Sequence, residues 1–232
     1  YEEDGSRQFF FHKTASVMDS PIDATPTQIP HYYHGVKGAH LSAMGFNAQH
    51  AIAAYLVEKQ IPFSYDITQA SLQISGGQYA QNFATAHCRL LLPSIEEVEL
   101  IYGKRRLLPL LEEIAQTGPK IISVKMGLQG SLVFDGIHHT AYQIPVFPTR
   151  AQDATGAGDA YCGGFLVGYY ETGDVMEAGI YGTVSASFAV EAFGAFHLLE
   201  RKPSEVVERA NALRKKVERI QITGSNGWGK IT

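Results

Sequence analysis

Residues 89–125 alternate between strand-like and helix-like patterns, and this alternation limits the possible folds more than any other feature. The pattern predicts a strand at residues 89–92, helices at 94–102 and 107–116, and a very apolar strand at 120–125. Strands separated by helices pair in parallel, because a parallel connection needs a dozen or more residues. The segment therefore predicts an α/β fold with a mainly parallel central sheet that is flanked by helices.

The rest of the chain carries patterns that extend this sheet in both directions. The predicted elements are strands at residues 7–12, 37–42 and 62–67, a helix at 48–60 capped by Asn47, hairpin or edge strands at 130–135 and 140–146, and helices at 156–171, 175–192 and 204–219. Residues 1–222 are predicted to form one domain, and residues 223–232 a mobile tail.

Charge and cysteine content exclude several classes of protein. The net charge is −4, and no run of lysine and arginine is dense enough to follow a nucleic-acid backbone. No apolar run approaches the roughly 18 residues of a membrane span. Cys88 and Cys162 lack metal-type spacing, so we expect no disulfide framework and a cytoplasmic location.

The stretch DATGAGDAY at residues 153–161 carries the clearest chemical signal. Gly156 and Gly158 allow the backbone to approach a ligand, and they lie where a loop enters a helix. Unpaired amides at such a helix start bind phosphate, and Asp159 in the first turn can accept a proton from an attacking hydroxyl. The alternative is a glycine turn in which Asp159 only stabilises the helix N-terminus.

The longer run at residues 153–165 resembles the C-terminal signature of ribokinase-like (PfkB) carbohydrate kinases. This resemblance implies that Asp159 is the general base and contacts the substrate hydroxyl. It also implies that the amides of Gly156, Ala157 and Gly158 form an anion hole for the phosphoryl group. The implied fold is a three-layer sandwich with part of a small β lid.

Two further segments resemble regions of this family that surround the nucleotide. Asp153 and Thr155 correspond to a monovalent-cation site, for K⁺, near the nucleotide. Gly194 corresponds to a segment near the adenine. Because residues 196–198 replace polar residues of the family with Phe, His and Leu, the dependence on K⁺ stays open.

Glu97 matches the carboxylate of the family's Pro-Asn-x-x-Glu stretch, which implies a role in organising Mg²⁺. Ser94 stands where the family has Asn. The alternative is structural, because Ser94 and Glu97 also have the spacing of a helix capping box.

The segment VKMGLQG at residues 124–130 resembles the strand and glycine loop that border the nucleotide. Lys125 is then expected to reach a phosphate of ATP, and Gly127 and Gly130 to line the nucleotide site. The alternative is an ordinary strand and turn with Lys125 exposed at the strand end.

The N-terminal segment resembles a family strand that forms part of a lid over the sugar. Arg7 and His12 are candidate substrate contacts there, with solvent-exposed side chains as the alternative. The lid remnant covers about residues 1–35 and implies homodimerisation through the lid.

Asp66 corresponds to a strand end near the phosphate pocket. The family's first strands and sugar-binding Gly-Gly motif are absent, so we expect this chain alone to be poorly stable or inactive.

The expected function is ATP-dependent phosphoryl transfer to a hydroxyl of a sugar or sugar-like small molecule, with Mg²⁺ as cofactor. The alternatives are a nucleoside kinase of the same family and a nucleotide- or sugar-binding fragment without catalysis. A dinucleotide-dependent enzyme is disfavoured, because no Gly-x-Gly-x-x-Gly follows a first strand.

Overall fold

The computed structural model describes residues 23–42, 44–67, 82–222 and 228–231. Within these ranges, eight strands form one sheet whose spatial order equals their order along the chain. The strands are β1 (Ala39–Leu41), β2 (Phe63–Tyr65), β3 (Leu90–Leu91), β4 (Ile121–Lys125), β5 (Ser131–Asp135), β6 (Thr140–Ile144), β7 (Glu218–Ile222) and β8 (Trp228–Ile231).

Strands β1 to β4 are parallel, whereas β4 to β8 are antiparallel. The parallel half arises where helices connect the strands, as the alternating pattern predicts. The predicted hairpin is present as β5 and β6, in the register Ser131 to Ile144. The sheet is therefore mixed, and the predicted parallel character holds for its first four strands.

Seven helices connect or follow these strands in the described part of the chain. They are α1 (Phe46–Glu58), α2 (Phe83–His87), α3 (Ile95–Tyr102), α4 (Leu107–Thr117), α5 (Ala157–Thr172), α6 (Val175–Ala189) and α7 (Pro203–Arg214). Among the described residues, none of the helices is both long and apolar enough to cross a membrane.

The sheet separates two hydrophobic cores. Leu91 and Ile122 point into the core beneath α1 to α4, whereas their neighbours Leu90 and Ile121 point into the core beneath α5 to α7. Adjacent residues of a strand face opposite sides, so alternate apolar positions supply both cores. Burying one such side chain stabilises the fold by about 1.5–3 kcal/mol. Helices on both faces make the three-layer sandwich that the sequence predicts.

Three local predictions differ from the structure. Helix α1 begins after Gly45 rather than after Asn47. Residues 218–219 were expected in the last helix but begin β7, which pairs with β6 and gains ladder hydrogen bonds there. Residues 228–231, predicted as part of a mobile tail, form β8 against β7. Tertiary pairing overrides weak local preference at each of these sheet positions.

The predicted lid remnant lies mostly outside the described residues, as do Arg7 and His12. Its described part, residues 23–35, contains 3₁₀ turns at Pro26–Gln28 and His31–Gly35 rather than a strand.

Candidate active site

The carboxyl ends of the parallel strands bring polar side chains together at one edge of the sheet. Ser42 follows β1, Asp66 follows β2 by one residue, and Lys125 ends β4. Ligands of open α/β sheets bind at this edge. Helix α5 also begins near this edge. Its first-turn residue Asp159 accepts a hydrogen bond through Oδ1 from Ser42 Oγ at 3.2 Å.

The start of α5 has the geometry of an anion site. Gly156 caps the helix in the left-handed conformation, with φ of 78°, which favours glycine. The Ala157 amide donates to Ala154 O at 3.2 Å and closes a turn. First-turn amides such as that of Gly158 have no acceptor within the helix and lie at its positive dipole end. Of the three predicted anion-hole amides, that of Ala157 is thus already engaged in the turn.

Lys125 lies beside this helix start and is mostly buried, unlike the exposed strand end that was the alternative. Its Nζ lies 2.6 Å from Asp66 Oδ2 and 3.4 Å from Cys162 Sγ. A Cβ placed on Gly158 would lie 3.8 Å from the same Nζ. Burial acts to lower the pKa of Lys125, but the facing Cys162, Asp66 and Glu97 outweigh it and hold that pKa above its usual value. The ammonium therefore stays charged.

Glu97 forms the capping box that the spacing predicts and also faces the charged cluster. Glu97 Oε2 accepts the Ser94 amide at 2.7 Å, and Ser94 Oγ accepts the Glu97 amide at 3.3 Å. Burial and the charge of Asp66 raise the pKa of Glu97 to about 7, against the opposing effect of Lys125. Its capping role is confirmed, and its role toward Mg²⁺ stays a prediction.

His40, in β1, adds a neutral imidazole to the cluster. Its Nδ1 lies 2.8 Å from Ser64 Oγ, and burial lowers its pKa despite the charge of Asp66. His40 Nε2 and Asp66 Oδ1 are buried and have no hydrogen-bond partner among the residues that the structure describes.

The loop before α5 is tied to the end of α6. The amides of Gln152 and Asp153 both donate to Val190 O, at 2.7 and 3.2 Å. The Thr155 amide donates to Asp153 Oδ1 at 2.9 Å, so this carboxylate shapes the loop. Cation or nucleotide roles for Asp153 and Thr155 stay predictions.

The remaining predicted glycines occupy turns. Gly127 begins a 3₁₀ turn after β4, and Gly194 adopts positive φ after α6. Gly130 has φ of 82°, and a Cβ there would approach Ile144 O to 2.0 Å. The hairpin itself therefore requires glycine at residue 130, whatever its role toward a nucleotide.

Sequence reasoning missed His40, Ser42 and Cys162. His40 and Ser42 bracket the end of a predicted parallel strand, and polar residues at such ends are a usable signal. Cys162 lies three residues after Asp159, one helical turn onward, and it points inward to Lys125. Nothing in its sequence context distinguishes it from an ordinary core cysteine.

A comparison with known protein families identifies the family of this chain. The model of the pfkB family carbohydrate kinase matches residues 46–202, which is more than half of the chain. The chain belongs to this family. The matched pfkB region begins at α1 and includes Asp66, Glu97, Lys125 and the whole of α5.

Individual relatives of this pfkB chain include kinases of different substrates. A cytidine kinase of Thermococcus kodakarensis is 26% identical over 168 residues, which cover 70% of this chain and 60% of that protein. An uncharacterised sugar kinase of Archaeoglobus fulgidus is 33% identical over 112 residues, which cover 48% of this chain and 44% of that protein.

The fold of this chain is similar to solved structures of ribokinases. A putative ribokinase II of E. coli in complex with ATP and Mg²⁺ superposes with a TM-score of 0.65 at 20% identity, over 80% of this chain and 63% of that one. The pfkB chain thus spans less than two thirds of the length of each of these three proteins.

Proposed function

We propose that this chain carries the catalytic centre of a kinase that transfers the γ-phosphoryl group of ATP to a hydroxyl of a sugar or sugar-like molecule. One observation carries the proposal. The Asp159 carboxylate already accepts a hydrogen bond from a hydroxyl, that of Ser42, at the start of α5. An acceptor hydroxyl that replaces Ser42 in this contact would meet both a base and an anion site.

Asp159 acts as the general base in this proposal. Its carboxylate takes the proton of the acceptor hydroxyl, whose oxygen forms a bond to the γ-phosphorus. The bond between that phosphorus and the β–γ bridging oxygen breaks, and ADP leaves with the electron pair. Phosphoryl transfer asks little covalent chemistry of the protein, so positioning and charge stabilisation dominate.

The start of α5 and Lys125 supply the charge stabilisation. The Gly158 amide and the helix dipole favour the negative charge of the phosphoryl group. The Lys125 ammonium, held near Gly158 by Asp66, adds a full positive charge to the same place. This arrangement also supports the predicted contact between Lys125 and a phosphate of ATP.

The acidic residues at the sheet edge fit Mg²⁺, which prefers oxygen ligands and retains several waters. Asp66 Oδ1 is unpaired among the described atoms, and the Glu97 carboxylate faces Asp66 and Lys125. These two residues would hold the ion through water, with the pair between Lys125 and Asp66 Oδ2 left in place. Bound Mg²⁺ supplies neutralisation of the phosphate charge. A K⁺ site at Asp153 stays a separate prediction.

The acceptor belongs to one of two classes. A sugar fits the family's name, and a nucleoside fits the cytidine kinase relative. Both offer a hydroxyl to Asp159. Homodimerisation through the predicted lid is a further proposal that stands on the resemblance of the N-terminal segment.

The test is coupled ADP release by the full-length gene product, with this 232-residue chain in parallel. The acceptor panel includes ribose, fructose, 2-keto-3-deoxygluconate, tagatose phosphate, cytidine and inosine. Asp159→Asn is expected to lower turnover by about 10²–10⁴ without loss of ATP binding. Asp174→Asn is the matched control, because Asp174 caps α6 through the Met176 and Glu177 amides and Asn caps equally well.

Two outcomes would contradict the proposal. One is full turnover by Asp159→Asn. The other is a folded protein that binds ATP and phosphorylates none of these acceptors, which would favour a non-catalytic binding protein.

A further inference from the structure

A group of nitrogen, oxygen and sulfur atoms lies beside the proposed catalytic centre. One ligand atom each from His40, Asp66 and Cys162 lie within 4.8 Å of one another. The three residues come from β1, from the end of β2 and from α5. Three separate backbone elements therefore hold the group in place, and His40 and Cys162 have no part in the proposed transfer.

Two of these residues each carry a side-chain atom without a partner among the described residues. His40 Nε2 and Asp66 Oδ1 are buried, and neither finds a hydrogen-bond partner in the described part of the chain. A buried polar atom without a partner costs about 1–3 kcal/mol. Such atoms in a native site indicate a ligand, an ion or a water that completes them.

The environment of His40 suits a metal ligand. Ser64 Oγ lies 2.8 Å from His40 Nδ1 and 3.4 Å from Ala39 O. If the Ser64 hydroxyl donates to Ala39 O, its oxygen accepts the proton of Nδ1. That tautomer leaves a lone pair on Nε2, and an oxygen partner for the other ring nitrogen is the usual support of a ligating histidine.

The donor set distinguishes between metals. Mg²⁺ takes oxygen ligands, whereas zinc takes histidine nitrogen, cysteine sulfur and carboxylate oxygen. We propose that His40, Asp66 and Cys162 bind a thiophilic divalent cation of the zinc type. Occupation of this site displaces Lys125 from Asp66.

The displacement follows from charge. The Lys125 ammonium lies 2.6 Å from Asp66 Oδ2 and 3.4 Å from Cys162 Sγ, so it already holds a positive charge at this place. On metal binding the S–H bond of Cys162 breaks, a sulfur–metal bond forms, and the proton goes to solvent. Two cations at such separation repel each other strongly. The metal and the paired ammonium therefore exclude each other.

Exposed and half-buried residues lie near the group. Asp159 is exposed and acts electrostatically on His40, and Ser42, two residues after His40, is half-buried. Because Lys125 is proposed to contact ATP, metal binding is expected to inhibit transfer, a consequence that rests on the proposed function, whereas the binding itself does not.

The test uses Cd²⁺ as probe with the full-length gene product, in the absence of nucleotide. Thiolate–cadmium bonds give an ultraviolet charge-transfer band. The wild type is expected to show this band, and Cys162→Ser is expected to lose it. Cys88→Ser is the matched control and is expected to keep it, because Cys88 is buried in the other core with its Sγ 3.4 Å from Thr85 O.

Two more variants separate this site from adventitious binding to a thiol. His40→Gln is expected to weaken Cd²⁺ at least about 10-fold to 100-fold, the range seen for losing even a supporting residue of a metal site. Lys125→Met is expected to tighten Cd²⁺ by about tenfold or more, because it removes the competing charge. A thiol that binds cadmium alone would respond to neither variant.

Inhibition is measured separately from binding. Micromolar Zn²⁺ in excess MgATP is expected to reduce ADP release by the wild type and by Cys88→Ser, and to leave Cys162→Ser unaffected. The proposal is overturned if the wild type shows no band, as expected for a site that holds only a bridging water, or if Cys162→Ser keeps the band, as expected for cadmium bound at another thiol. If the protein phosphorylates nothing, the cadmium band still decides the binding site.

Discussion

Asp66 and Glu191 are two carboxylates that face cations, yet they are bonded very differently. Glu191 Oε1 accepts Arg209 at 2.7 Å and also the Thr149 hydroxyl, and its Oε2 lies 3.0 Å from Arg201. Both of its oxygens are thus occupied. Asp66 uses Oδ2 for Lys125, whereas its Oδ1 is unpaired among the described residues.

The two arrangements indicate different tasks. Glu191 links Thr149, just before the loop at residues 153–156, to Arg209 in α7. The Arg209 guanidinium also lies 3.7 Å from the centroid of the Phe188 ring. Burial alone would raise the pKa of Glu191, but the hydrogen bonds and charges of its partners lower it. A carboxylate satisfied in this way stabilises the fold, whereas the unpaired oxygen of Asp66 remains available to a ligand.

Of the substitutions that test this difference, Lys125→Met is expected to change stability and turnover the most. It leaves Asp66 buried without a cation, which costs about 3 kcal/mol of unfolding free energy. It also removes charge stabilisation worth about 10²-fold or more in turnover. Chemical denaturation and ADP release measure the two effects.

The double variant Lys125→Met/Asp66→Asn is expected to recover stability and not turnover. Lys59→Met, which removes an exposed lysine paired with Glu58, serves as control and should change neither quantity. Unchanged turnover in Lys125→Met would remove Lys125 from the active centre.

The second largest expected effect is the dependence of folding stability on pH that Glu97 causes. Burial and Asp66 raise its pKa from 4.5 to about 7 in the folded protein. Its protonated form is therefore favoured by folding, and this contribution, about 3 kcal/mol, is present below pH 4.5 and lost as the pH rises through 7. Glu97→Gln keeps an acceptor for the Ser94 amide and should lack this loss. Denaturation curves between pH 4.5 and 8 test it, and parallel curves for both proteins would contradict it.

Glu191→Gln is expected to have the smallest effect, a loss of about 2 kcal/mol at neutral pH. The contribution of Glu191 to folding stability changes with pH in the opposite direction to that of Glu97. Because the folded pKa of Glu191 is lowered, its contribution is present above the unfolded pKa and lost as the pH falls. Turnover per folded molecule should change less than about threefold. A large fall in turnover with stability intact would instead make this network part of the catalytic apparatus.

Local sequence patterns determined most of the strands and helices of this protein. The alternation of residues 89–125 predicted the parallel strands and their helices, because hydrophobic period depends on near neighbours. The glycines before Asp159 placed that carboxylate at a helix start, and Ser94 with Glu97 predicted their capping box. The edge strand β8 was missed, because its formation depends on pairing with β7 rather than on local composition.

Only the tertiary structure decided what surrounds Asp159. Lys125 meets Asp66 across 59 residues of sequence, and Cys162 meets Asp66 across 96. No local period relates such positions. They converge because parallel strands end at one edge of the sheet and α5 packs against that edge, which brings the side chains of His40, Asp66 and Cys162 together.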